Sequence, residues 1–97
     1  MRIVHVERAL EDIIPDFLNY RKEDIKNLKN SIETKDFQLI QTIGHRLSGN
    51  AAGYGFMDLG PLGEKLEQAA KEKNLAPIIE LTQKYEEYMK SVKIEYV

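Results

Sequence analysis

The chain has no cysteine in its 97 residues. Disulfide staples and thiolate metal sites are therefore excluded, and stability must come from a packed core. That composition suits a reducing compartment, and the expected location is the cytoplasm. No uncharged stretch approaches the length a bilayer span requires. The start, Met1-Arg2-Ile3-Val4-His5-Val6-Glu7-Arg8, is too short and too interrupted by charge to read as a signal peptide. A basic patch is missing as well: the net charge is −2 with lysine and arginine spread throughout, so nucleic acid is not an expected partner and neither is a membrane. The two histidines, His5 and His45, stand far apart without a ligand-spaced motif, which argues against zinc. Strand signals are absent too, since no alternating run exceeds a few residues and no hairpin dipeptide separates two such runs.

What the chain does have is helical period. A length of 97 residues gives one domain over 1–97 with a single core. Ile14, Leu18, Ile25, Leu28 and Ile32 keep a three-four rhythm, broadened by Phe17, and predict a helix from about Asp12, its cap, to about Glu33. Pro15 fits its first turn, where a missing N–H is harmless. The stretch Val6 to Leu10 reads as a short lead-in helix. Asp36 caps a second helix with Phe37, Ile40, Gly44, Leu47 and Ala51 inward, ending at Gly53-Tyr54-Gly55. Asp58 caps a third, with Pro61 in its first turn, Leu59, Leu62, Leu66, Ala69 and Ala70 inward, and Asn74 closing it. A fourth starts near Pro77 and carries Ile78, Leu81, Tyr85, Tyr88 and Val92. Four amphipathic helices with short connections predict an all-α, antiparallel up-down four-helix bundle, its core spanning about residues 12–92. Gly44, on the buried stripe, would let a neighbouring helix approach closely. The charged outer faces give no reason to expect anything but a monomer.

One imidazole stands out. Gly44, Gly49, Gly53 and Gly55 surround His45, although each glycine inside a helix costs up to about 1 kcal/mol relative to alanine. At about 100° per residue, the buried stripe centres roughly 120° from His45, so the ring points outward. Gln38, Gln41, Gly49 and Ala52 fall within about 40° of it, and Thr42 and Ser48 within about 60°. This is a small, polar, uncharged patch. An outward glycine at 49 has no packing justification, whereas a docking partner would need the clearance. Arg46, about 100° round the helix, is the nearest cation along the chain. An unperturbed imidazole titrates near about 6.5, so its neutral form is an available nucleophile at cellular pH. Attack on an aspartyl phosphate would give phosphohistidine and return a carboxylate. No acidic pair shares its face, so Mg²⁺ would have to come from the partner.

Other residues read more blandly. Glu64, Glu67 and Glu72 fall at helical spacing among lysines, as on a solvated face. Tyr85 and Tyr88 follow the buried rhythm. Phe56-Met57, just after the glycines, reads either as an exposed contact for a partner or as a plug for the end of the bundle. His5 has no comparable surroundings.

His45, Leu47, Gly49, Tyr54, Gly55 and Phe56, followed by Leu59, Leu62, Leu66 and Glu67, resemble the signature of histidine-containing phosphotransfer (HPt) domains. Ile14-Pro15-Asp16-Phe17-Leu18 and Asp36-Phe37 look like that family's first long helix and its turn. The resemblance implies a four-helix bundle without kinase activity, a phosphocarrier whose histidine receives a phosphoryl group from a receiver-domain aspartate and passes it to another receiver. Response-regulator receivers or a hybrid histidine kinase are the implied partners. It makes His45 the acceptor; with that role, the helical angles put Ser48, Arg46 and Gly49 nearest the phosphoryl group, and Gln38, Gln41, Thr42 and Ala52, with Phe56 after the glycines, are left for docking. Ser48 departs from the pattern, because the family usually has lysine there. A hydroxyl offers a hydrogen bond but no positive charge. Slower transfer, a cation from the partner, or a module that docks receivers without accepting phosphate are all open at this point.

Overall fold

The computed structural model describes residues 2–97, apart from the side chain of Ala52. In chain order it contains a strand β1 (Arg2–Val6), a 3-10 turn (Arg8–Leu10), helices α1 (Ile14–Thr34) and α2 (Phe37–Asn50), a second 3-10 turn (Ala51–Tyr54), helices α3 (Leu59–Lys71) and α4 (Leu75–Ser91), and a strand β2 (Val92–Tyr96). α2 packs on α1 and α3, and α4 closes the ring against α3 and α1. This is a four-helix bundle, and its neighbour pattern is the one an up-down order requires. Ile14, Phe17, Ile25 and Leu28 meet Ile40, Ile43, Leu47, Leu59, Leu66, Ile78 and Tyr85 in the core. Each such side chain contributes roughly 1.5–3 kcal/mol of transfer free energy.

α2 and α3 lie closest together. A methyl group on Gly44 would stand 2.7 Å from both the Glu67 amide nitrogen and the Gly63 carbonyl oxygen. One on Gly63 would stand 2.6 Å from the Ser48 nitrogen and 2.7 Å from the Gly44 oxygen. The two helices therefore touch backbone to backbone, through a glycine on each. Gly44 does what its place on the stripe predicts, whereas Gly63 is visible only in three dimensions.

Between α1 and α4 sits a polar cross-link that the apolar rhythm does not reveal. Arg21 and Asp24 are buried, with Nε of Arg21 2.9 Å from Oδ2 of Asp24. The Tyr85 hydroxyl donates to the same oxygen at 3.1 Å. Burial pushes the Asp24 carboxyl above its ordinary range, against the opposing pull of Arg21.

Several local expectations need correction. β1 and β2 form a parallel pair with Arg2 opposite Val92 and Val6 opposite Tyr96, so Val92 opens a strand instead of closing α4. The lead-in helix shrinks to the 3-10 turn Arg8–Leu10, because Val6 belongs to β1. Ile13, not Asp12, occupies the cap position of α1, and no side chain caps it. Its far end is closed by Lys35 in the left-handed region, at φ 58°. Asp58 precedes α3 without capping it, since its carboxylate pairs with Arg2 of β1. Asn74 sits at the start of α4, which begins at Leu75. α2 stops at Asn50, ahead of the glycines.

Candidate functional site

Asp36 sets the start of α2: its side chain accepts the Leu39 N–H at 3.1 Å, the capping interaction its position predicts. One face of the helix is then pinned at Gly44 by the backbone contact with α3, which fixes the roll of everything that follows. His45 emerges next, with its side chain 75% exposed. One turn further on, a Cβ on Gly49 would meet nothing within 4 Å, and the same holds at Gly53. The clearance inferred from the helical angles is present.

The imidazole is not isolated. Its Nδ1 lies 3.1 Å from Oε2 of Glu67 on α3, a side chain only 20% exposed. A carboxylate only accepts, so in the neutral ring this contact favours the tautomer with the proton on Nδ1 and the lone pair on Nε2. Glu67 read as a solvated acid in the sequence, and it is instead the residue that holds the ring. The signal that finds it is the second glycine: Glu67 lies one turn beyond Gly63, the contact residue opposite Gly44. Lys71, a further turn along, brings Nζ to 3.9 Å from the same Glu67 oxygen.

The remaining site residues divide. Gln38 and Thr42 are exposed on the His45 face, Thr42 donating from Oγ1 to the Gln38 carbonyl at 3.0 Å. Gln41 is half-buried, and with Gln38 it lines a shallow cleft of about 400 Å³ whose walls include Lys35, Lys71 and Lys73. Ser48 is half-buried, its hydroxyl donating to the His45 carbonyl at 2.9 Å, so its one proton is already committed to the helix. Arg46 is exposed on the side toward α1, where its charge reaches Asp24. Ala52 falls outside the described residues as far as its side chain is concerned.

Phe56 is not a docking residue. It is fully buried, its ring centroid 4.8 Å from that of Phe17, and it plugs the end of the bundle. Its neighbour Met57 is the exposed member of the pair. The hydrophobicity of the two residues is similar, and only the turn after Tyr54 decides which one faces inward. His5 is exposed on β1, with Nδ1 4.0 Å from a Glu95 carboxylate oxygen, and it lies apart from this cluster.

A family model for the Hpt domain matches residues 12–93, well over half of the chain. The chain belongs to the Hpt domain family. Hpt domains serve histidine phosphotransfer in two-component signalling, as phosphocarriers and not as kinases. The match takes in all four helices and leaves β1 outside. Neither the comparison with curated proteins nor that with solved structures gave a match. No helix among the described residues is long and apolar enough to cross a membrane.

Proposed function

We propose that this Hpt domain is a phosphorelay intermediate in which His45 takes a phosphoryl group from the aspartyl phosphate of a receiver domain and delivers it to the aspartate of a second receiver. The observation that carries the reading is the setting of the imidazole: Nδ1 lies against Glu67, the side chain is largely exposed, and one turn on stands a glycine with nothing around it.

In the forward step Nε2 attacks phosphorus in line, the N–P bond forms, and the P–O bond to the aspartate breaks, releasing its carboxylate. The ring keeps its Nδ1 proton, so positive charge develops on the imidazole as the bond forms. Glu67 lies at Nδ1, where it stabilises that charge and fixes the ring's direction. Delivery to the second receiver runs the same step in reverse. A Mg²⁺ ion held by the receiver would offset charge on the transferring oxygens, since no acidic cluster of this chain's described residues could hold one. On this chain's side Lys71, whose Nζ lies 3.9 Å from the Glu67 oxygen that meets the ring, adds positive charge to the neighbourhood. The lysines around the cleft at Gln38 and Gln41 favour a docking surface of negative charge.

The test is to incubate the chain with receivers carrying radiolabelled aspartyl phosphate and Mg²⁺. Acid-labile, base-stable label on the chain supports the relay. Stable binding without label supports the second reading, a module that docks receivers and carries nothing, which the serine at position 48 favours.

Two variants grade the mechanism. Glu67→Gln keeps an acceptor for Nδ1–H but removes the charge that balances the phosphorylated ring. Charge-assisted hydrogen bonds are about twice as strong as neutral ones, so transfer is expected to slow by about ten-fold or more with little change in melting temperature. An unchanged rate would remove Glu67 from the mechanism. Ser48→Lys returns an ammonium to the place where the family usually has one, and it should accept or retain phosphate at least as well as the wild type. Loss of transfer in a folded Ser48→Lys chain would show that the missing cation is not what limits this domain.

A further inference from the structure

The two strands lie at the margins of the family match, and the phosphotransfer reading makes no use of them. Val97 donates its N–H to the Val6 carbonyl at 2.9 Å and accepts from the Arg8 N–H at 3.0 Å, so both its backbone groups face β1. Backbone groups alternate along a strand, which turns those of Ile94 and Tyr96, and the Val92 carbonyl, away from β1. The Val92 N–H is taken by the Tyr88 carbonyl at the end of α4. At the other side of the sheet, the outer edge of β1 is blocked: a Cβ on Gly55, which has φ +90°, would stand 2.6 Å from the His5 carbonyl. Among the described residues the sheet therefore has one covered edge and one open edge, and the open one belongs to β2.

Burial points the same way. Val4 and Val6 of β1 are buried under the sheet, whereas Val92, Ile94 and Tyr96 of β2 are only half-buried. β2 is the outer strand, overhanging the flank of the bundle with part of its apolar face uncovered.

We propose that the open edge of β2 pairs antiparallel with β2 of a second copy of this chain, giving a symmetric dimer with a four-stranded sheet across the seam. The sequence of the strand selects this partner and this register. Symmetric antiparallel pairing requires outward-facing backbone groups to meet outward-facing groups. Three central registers satisfy that condition. Pairing Val92 with Ile94 sets Lys93 against Lys93, and pairing Ile94 with Tyr96 sets Glu95 against Glu95. Pairing Ile94 with its own twin sets Lys93 against Glu95 on both sides of the axis. Only this last register joins opposite charges, and it does so at the non-hydrogen-bonded positions, where side chains approach most closely. It is also the register with the fullest overlap. Ile94 exchanges both backbone bonds with its twin, Tyr96 donates to the Val92 carbonyl of the second copy, and Val92 and Tyr96 meet on the apolar face. The expectation of a monomer was drawn from the charged outer faces of the helices, and it does not extend to the strand.

Sedimentation equilibrium from micromolar to millimolar concentration tests this directly. The wild type should dimerise reversibly. Lys93→Glu and Glu95→Lys each place like charges opposite one another and should weaken self-association by about ten-fold or more. An equimolar mixture of those two variants restores opposite charges at every position, so it should form a heterodimer more tightly than either variant pairs with itself. Ile94→Pro removes an N–H that the β1–β2 ladder does not use, so it should abolish the dimer and leave the helical circular dichroism unchanged. A wild type that stays monomeric at millimolar concentration overturns the proposal. So does a Lys93→Glu chain that dimerises as the wild type does, or a mixture that fails to associate.

Discussion

A His45→Gln chain is expected to take up no phosphoryl group from any receiver while melting within about 4 °C of the wild type. The separation of function from stability follows from the surroundings of the ring. Three-quarters of the side chain is exposed, and its one polar contact among the described residues is with Glu67. Glutamine is similar in reach and keeps an N–H for that carboxylate, so the fold loses little. What disappears is the nucleophile, because an amide nitrogen has its lone pair delocalised into the carbonyl. His5, exposed at the other histidine position, provides the internal control: His5→Gln should be labelled as the wild type is. Label that survives His45→Gln and vanishes with His5→Gln would move the acceptor to β1 and sink the reading of the glycine-flanked site. A large drop in melting temperature for His45→Gln would instead assign the histidine a structural role.

How much of this is legible in the sequence depends on whether the deciding interaction is local. The helical stripes were readable because burial repeats every three or four residues along one element, and Ile40, Leu47, Leu66 and Ile78 are fully buried where the rhythm puts them. The Asp36 cap and the outward direction of His45 were readable for the same reason, since both follow from α2 alone. Glu67 was not, because its role arises between helices. Its spacing among lysines is that of a solvated face, and only the contact of Gly44 with Gly63 carries it to the imidazole. The strands failed for a related reason. Val92-Lys93-Ile94-Glu95-Tyr96 alternates apolar and charged residues without exception, but it continues directly from α4, and its partner β1 lies at the opposite end of the chain. A parallel pair leaves no hairpin turn to mark it. Here the crossover between the strands is the entire bundle. Asp58 illustrates the same limit on a smaller scale: a good capping residue in the right place is drawn off by Arg2, a partner that only the strand brings near.

Gly44 and Gly49 occupy the same helix, yet alanine should act on them with opposite signs. At Gly49 nothing lies within 4 Å of the added methyl, so Gly49→Ala only removes the conformational cost of glycine in a helix. It should raise stability by up to about 1 kcal/mol. At Gly44 the methyl would stand 2.7 Å from two backbone atoms of α3, which cannot rotate aside as a flexible side chain can. Relief requires α2 and α3 to move apart. Such overpacking costs about 1–3 kcal/mol and occasionally more, and the rigid neighbours here place it at the upper end, for a net loss of about 2 kcal/mol after the helix preference of alanine is counted. In a domain of this size that lowers the melting temperature by roughly 8–16 °C. The same displacement draws His45 away from Glu67, so Gly44→Ala should also slow phosphotransfer at temperatures where the chain remains folded, whereas Gly49→Ala leaves that contact in place and narrows only the clearance a docking receiver uses, so any loss of transfer there comes without a loss of stability. Thermal melts of the two variants, followed by transfer assays well below both midpoints, check the pair. If Gly44→Ala proves as stable as Gly49→Ala and transfers at the wild-type rate, then the backbone contact between α2 and α3 is not what builds the site.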